Sequence, residues 1–214
     1  MRQLSRWPYL RHVTISGDLQ TDVSNFLAAN GKQDTAAHCA AVAKVSQELA
    51  ARFGLDEALA TSSALLHDMA DVMAPQDMLT YAIDNHWLLH VAEKQYPFLL
   101  HQRLSAVLAR ELFGIDNPVI LSAIECHTTL KASPSDYDLL LFLADKLAWG
   151  QAGMPPFHGL VASALDHSLK HAALVYINFV LDKGMILSPH NWLLEARNWL
   201  KDYVSGHTRE SFRT

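Results

Sequence analysis

At 214 residues, half of them apolar and only 18% charged, the chain is long enough to bury its own core and too apolar for a disordered charged segment. A formal net charge of −5 and a pI near 6.1 argue against a broad footprint on a nucleic-acid backbone, while a small anionic substrate stays compatible if bound cations invert the local field. Cys39 and Cys126 are too few for a disulfide framework and point to a reducing compartment; with no continuous apolar leader and no bilayer-length apolar run, a cytoplasmic protein with no membrane partner is expected.

Residues 1–17 carry little pattern: Trp7-Pro8-Tyr9 interrupts regular structure, and 12–16 reads as extended or coil. From Asp18 to Ala29, Leu19, Val23, Phe26 and Leu27 recur at helical spacing, closed by Asn30-Gly31. Asp34 is a candidate N-cap for a helix to Phe53 that ends at Gly54, with His38, Val42, Val45 and Leu49 on one stripe. Asp56 caps a helix over 57–68 whose inward face carries Leu59, Ser63, Leu66 and His67. Pro75 opens a short helix to about Asn85, and 86–99 reads as a shorter helix and loop ending at Pro97.

Leu100 or His101 begins a helix that turns Leu104, Leu108 and Leu112 inward and ends at Gly114. Asn117-Pro118 joins a cap to a first-turn proline for a helix to about His127. Ser135 and Asp138 form a capping-box-like pair before a helix to Trp149; its run from Leu139 to Ala144 is apolar on all sides, which makes it central, and Asp145 interrupts it. After a linker from Gly150 to Pro156, one long helix over 157–183 is closed by Gly184, and Ser188-Pro189 starts a last helix to about Val204, with 206–214 polar and frayed. No repeat, glycine-rich phosphate loop or strand-like series occurs, so the fold class is all-α: an N-terminal segment with a short helix over 1–30, a helical domain over 31–150, and a C-terminal extension over 151–214 packing on the core.

The chemistry centres on Ala64-Leu65-Leu66-His67-Asp68, where an apolar stretch runs into an imidazole and a carboxylate. His38, His101, His127 and Asp145 fall at or near the ends of other predicted helices, spaced 29 residues from His38 to His67, 33 from Asp68 to His101, 26 to His127 and 18 to Asp145. Each interval accommodates a helix and its return. Imidazole and carboxylate together suit iron, manganese, zinc or nickel. Six such ligands exceed what one catalytic ion with open positions takes and suit two ions sharing a carboxylate, for which Asp68 is the best placed. Taken singly, each histidine is more ordinarily a hydrogen-bonding group at a helix end, so the metal reading rests on the set.

His38, Leu66-His67-Asp68, Leu100-His101, His127-Thr128-Thr129 and Leu143-Ala144-Asp145 together resemble the HD-domain metal-dependent phosphohydrolases over residues 30–150. More narrowly they resemble the YqeK-like branch, the symmetric bis(5'-nucleosyl)-tetraphosphatases that hydrolyse diadenosine tetraphosphate. That resemblance implies a helical HD domain over 31–150 with two divalent or trivalent transition-metal ions, iron first and manganese, nickel or zinc next. His38, His67, Asp68 and Asp145 would hold one ion and Asp68, His101 and His127 the other, with a metal-bridging hydroxide attacking phosphorus. His67 and Asp68 then carry the catalysis, and cleavage between the middle phosphates gives two ADP. Thr128 and Thr129 are candidate substrate contacts on the same ground.

The chain departs from that pattern in three places. Asp71 stands where such hydrolases commonly carry a lysine, Leu130-Lys131 follows the His-Thr-Thr element instead of glycine, and Lys146 to Gln151 replaces a Glu-Pro and an Arg. Arg103, Lys131 and Lys146 are candidate replacement cations for a nucleotide substrate, or solvated surface charge. His167 and His171, and likewise His86 and His90, are spaced for one ion but read as packing or surface groups. Trp87, Tyr96 and Phe98 either stack on a purine or anchor their loop, and Trp149, Trp192 and Trp199 read as packing of the last helices. Two alternatives therefore stand beside the tetraphosphatase: an HD phosphohydrolase for another nucleotide or phosphoester, and a regulatory module that binds metal or nucleotide without turnover. A homodimer is compatible with either.

Overall fold

The structure is a computed structural model that describes residues 7, 10–148 and 153–210. Among these residues no strand occurs, and the all-α class read from the sequence is the class found. The helices are α1 (Leu19–Ala29), α2 (Gln33–Phe53), α3 (Glu57–Leu66), α4 (Pro75–Asp84), α5 (Val91–Gln95), α6 (His101–Phe113), α7 (Pro118–Cys126), α8 (Asp136–Leu147), α9 (His158–Ala164), α10 (Leu169–Asp182) and α11 (Asn191–Glu210). Short 3-10 turns over Met69–Val72 and Pro97–Leu100 follow Asp68 and precede His101.

Local chemistry sets most of these limits. Asp56 accepts hydrogen bonds from Ala58 N and Leu59 N, and Asn117 accepts one from Val119 N ahead of Pro118, so α3 and α7 start where their free N–H groups find oxygen. Ser135 and Asp138 form a reciprocal capping box on α8. Gly54 ends α2 at φ 68°, a left-handed conformation that a Cβ would disfavour.

Besides α3 and α8, which end at Leu66 and Leu147, short of the expected Asp68 and Trp149, three boundaries differ from the sequence reading. Helix α2 starts at Gln33 behind Lys32, not at Asp34, because Ala36 N already bonds to Lys32 O; Asp34 lies in the first turn, where its charge still complements the helix dipole. The expected single helix over 157–183 is two helices. Arg52 Nη2 takes Leu165 O at 2.9 Å and Asp166 Oδ1 at 2.7 Å, removing a carbonyl that a continuous helix would use, and Ser168 restarts the chain by accepting His171 N. Helix α11 starts at Asn191, after His190 Nδ1 accepts Trp192 N, and continues to Glu210 instead of fraying after 204. Trp149 with its expected packing, the first part of the linker over 150–152, Pro8, Tyr9 and the last residues 211–214 lie outside the described residues.

Helix α8 occupies the middle of the core. Every side chain from Leu139 to Ala144 is buried, and the helix packs against α2, α3, α7 and α10. Each fully buried leucine there contributes roughly 1.5–3 kcal/mol. Helix α6 packs on α7 and on the turn at Met69–Val72, so the turn after Asp68 is pressed against the helix that begins with His101. Trp7 stacks on Tyr81 at 4.7 Å and donates to Glu111, fastening the N-terminal segment to α4 and α6.

Candidate metal centre

His67 is the last helical residue after α3, and Asp68 leaves the helix at φ −108°, ψ 22°. Successive residues on a helix point about 100° apart. The turn after His67 removes that divergence and lets both side chains face one centre. His127 occupies the matching position after α7, His101 opens α6 directly behind a 3-10 turn, His38 stands in the second turn of α2, and Asp145 lies near the end of α8.

Three of the rings are oriented alike. His67, His101 and His127 donate Nδ1–H to the carbonyl three residues back, Ala64 O at 2.7 Å, Phe98 O at 2.6 Å and Ile124 O at 2.8 Å. A carbonyl only accepts, so each neutral ring presents an unprotonated Nε2 inward.

Asp68 stands between two sets of donors. Its Oδ2 lies 3.2 Å from His67 Nε2 and 3.8 Å from His38 Nε2, while its Oδ1 lies 3.4 Å from His101 Nε2 and 3.3 Å from His127 Nε2. Asp145 Oδ1 closes the first set at 3.0 Å from His38 Nε2 and 3.6 Å from His67 Nε2. Two overlapping groups, His38 with His67 and Asp145, and His67 with Asp68 and His127, have ligand atoms within 4.8 Å of one another.

The donor set fits a cation. His101 Nε2 and His127 Nε2 are 3.0 Å apart with lone pairs facing, and the fully buried His67 Nε2 has no hydrogen-bond partner. Imidazole nitrogens and carboxylate oxygens converging on one centre match a divalent transition metal. Without one, protons take its place. Burial opposes charge on His67, yet Asp68, Cys39 and Asp145 outweigh it and raise its pKa well above the usual imidazole range, whereas burial pushes His127 down to about 4. Burial would raise both carboxylates, but His67 and His127 hold Asp68, and Lys146 and His38 hold Asp145, well below the usual range. Metal binding at this cluster therefore displaces protons.

The substrate-contact candidates separate in space. Thr128 Oγ1 lies 3.2 Å from His101 Nε2, at the cluster itself. Lys146 Nζ touches Asp145 Oδ2 at 2.6 Å and His127 O at 3.0 Å, so it ties two donors together and leaves Asp145 Oδ1 facing inward. Lys131 is turned to Ser122 Oγ at 2.6 Å and Asp138. Arg103 bonds to Glu93 and Leu88 O and lies 4.1 Å over the Trp87 ring, holding the loop ahead of α5. Thr129 is buried against Gln102.

Gln102 was absent from the sequence reading. Its Oε1 accepts Thr128 N at 3.1 Å and Thr129 N at 3.2 Å, which fixes the turn behind His127 from the helix that carries His101. An amide directly after a candidate ligand, opposite a His-Thr-Thr turn, was the available signal. Asp71 receives Thr35 Oγ1 on Oδ2 and has a buried Oδ1 without a partner; burial and the charge of Asp68 raise its pKa. His90 caps α5 and lies 4.4 Å from the His190 ring, and His167 pairs with His171 at 5.0 Å; neither these nor His86, the expected partner of His90, belongs to the metal-ligating groups among the described residues. Beyond His38 a groove of about 710 Å³ runs along α2 past Lys44 and Val45 to Leu147.

Residues 35–150 match the family model described as HD domain. The chain is 41% identical over 143 residues to the uncharacterized protein in the pepC 5' region of Lactococcus lactis subsp. cremoris, covering 67% of this chain and 73% of that one. It is 26% identical over 171 residues to the symmetrical bis(5'-nucleosyl)-tetraphosphatase of Bacillus subtilis, covering 79% and 89%. In three dimensions it resembles a predicted HD superfamily hydrolase involved in NAD metabolism from Clostridium acetobutylicum, with a TM-score of 0.76, 26% identity, and coverage of 86% and 97%.

Proposed function

The chain belongs to the HD domain family of metal-dependent phosphohydrolases, and from that membership we propose that it cleaves a nucleotide polyphosphate at a two-metal centre, with diadenosine tetraphosphate cut symmetrically as its first candidate reaction. The observation that carries the two-metal reading is the division of Asp68, one oxygen toward His38 and His67 and the other toward His101 and His127. The relative in Bacillus subtilis, named for symmetrical tetraphosphate cleavage, supports the substrate.

In this reading His38, His67 and Asp145 would hold one ion, His101 and His127 the other, and Asp68 would serve both. Metal ions there supply Lewis acidity, neutralising charge on phosphoryl oxygens and acidifying water, so that no serine or cysteine nucleophile is needed. The Nδ1–H bonds to Ala64, Phe98 and Ile124 keep three rings in one tautomer and one orientation. Lys146 holds Asp145 in place, and Thr128 stands where its hydroxyl can donate to a phosphoryl oxygen once His101 Nε2 is engaged elsewhere. Water adds to one middle phosphorus and gives up a proton to solvent, the bridging P–O bond breaks, and its electron pair leaves on the oxygen of the second ADP. Iron is the first metal choice on the resemblance to the di-metal HD hydrolases alone; the donors themselves serve iron, manganese, nickel and zinc alike. The buried free cysteines accord with a cytoplasmic location.

Asp71 favours a second reading, another nucleotide on the same centre, because a carboxylate next to the metals repels added phosphates where a lysine would attract them. Chromatography of products from the metal-replete protein with dinucleoside polyphosphates, mononucleotides and cyclic nucleotides separates the readings. Two ADP per diadenosine tetraphosphate is the expected result. Turnover of another nucleotide alone supports the second reading, and bound metal without turnover of any compound overturns both.

A further inference from the structure

We infer that the outer face of Phe98 is the stacking platform for a purine base of the substrate. This rests on the nucleotide reading of the centre and adds to it a subsite for the base.

Phe98 lies in the 3-10 turn Pro97–Leu100, immediately ahead of α6. Its ring is stacked on His101, with centroids 4.4 Å apart and planes 19° from parallel, and its carbonyl receives His101 Nδ1–H at 2.6 Å. The turn packs on α4 and α5, and Leu100 within it is fully buried, so the position of the ring is fixed by the core and by a candidate ligand together. With one face covered by His101, Phe98 is nonetheless 49% exposed, which leaves the opposite face in solvent.

The neighbouring aromatics have other contacts. Trp87 meets Tyr81 edge-on at 5.7 Å and carries Arg103 on its face. Phe98 alone among the three aromatics named for this loop stacks directly on a candidate ligand. A nucleotide whose phosphates lie at the Nε2 atoms extends its nucleoside away from them. We place that nucleoside on the outer face of Phe98, a flat apolar surface one ring beyond His101. Aromatic faces gain most from the largest π systems, and a purine offers more stacking area than a pyrimidine. Stacking a base there would complete a three-ring column of His101, Phe98 and base.

The test is calorimetric binding of ADP, UDP and inorganic pyrophosphate to the metal-replete full chain and to its Phe98→Leu and Phe98→Trp variants, with metal content measured in each. The native protein should bind ADP more tightly than UDP or pyrophosphate. Phe98→Leu, which keeps an apolar cover on His101, should weaken ADP roughly ten- to a hundred-fold while pyrophosphate affinity and metal content hold, and Phe98→Trp should keep the ADP preference. Equal affinity for ADP and UDP in the native protein overturns the inference, as does unaltered ADP binding in Phe98→Leu or a parallel loss of ADP and pyrophosphate. Should the leucine variant not fold, the native ADP-to-UDP ratio and the tryptophan variant decide. A Phe98-dependent ADP preference without cleavage of diadenosine tetraphosphate removes the proposed substrate and supports the platform. Cleavage to two ADP with the same KM in native and leucine proteins removes the platform alone.

Discussion

His101 Nε2 lies 3.0 Å from His127 Nε2 although both rings already donate their Nδ1 hydrogens to backbone carbonyls. Two buried lone pairs at that distance repel unless a cation lies between them, so the folded state should be stabilised by the metal it binds. Free metal at about 100 times Kd adds about 2.7 kcal/mol, which for a chain of this size corresponds to roughly 5–10 °C in Tm. Chelation should lower Tm by that amount in a calorimetric scan, and re-addition of the metal should restore it.

Asp68→Asn keeps the shape of the side chain and removes the charge that both sets of donors share. Metal analysis after dialysis is expected to fall from two ions per chain to one or none, with the helical circular dichroism signal retained. Full occupancy in the variant would rule out the shared carboxylate.

Gln102→Ala leaves Thr128 N and Thr129 N without their acceptor in a buried turn. Unmet buried donors cost about 1–3 kcal/mol each. Denaturant unfolding should show a loss of about 2–4 kcal/mol, and turnover should fall further than stability alone explains, because His127 loses the support of its own turn.

Much of this arrangement was legible in the sequence, for reasons that differ by residue. Gly54, Gly114 and Asn117-Pro118 mark helix limits through backbone rules that operate locally, so α2, α6 and α7 could be placed with their histidines. The division inside 157–183 was not legible, because its cause is Arg52, more than a hundred residues away, acting on Leu165 O. Lysines and arginines look alike in sequence as candidate anion contacts. In space Lys146 binds two members of the centre, whereas Lys131 and Arg103 are turned to Asp138 and Glu93. Gln102 was missed since a glutamine carries no spacing rule of its own.

The N-terminal segment offers a pH test. Hydrogen bonds from Ser16 N, with Ser16 Oγ and Gly17 N, outweigh burial and hold the Asp22 carboxyl below its ordinary value of 3.8. A folded pKa below the unfolded one means that its stabilisation is fully present above pH 3.8 and is lost as pH falls through the folded value. Asp22→Asn should therefore melt lower than the native protein near neutrality, and the two Tm values should converge in strong acid.

The sharing of Asp68 between two ions is tested most directly by an anomalous-difference map from crystals of the metal-replete protein. Two peaks about 3.5–4 Å apart are expected, one beside His38, His67 and Asp145 and the other beside His101 and His127, with an Asp68 oxygen toward each. A single peak in a fully loaded crystal, or a second peak away from Asp68, would contradict it.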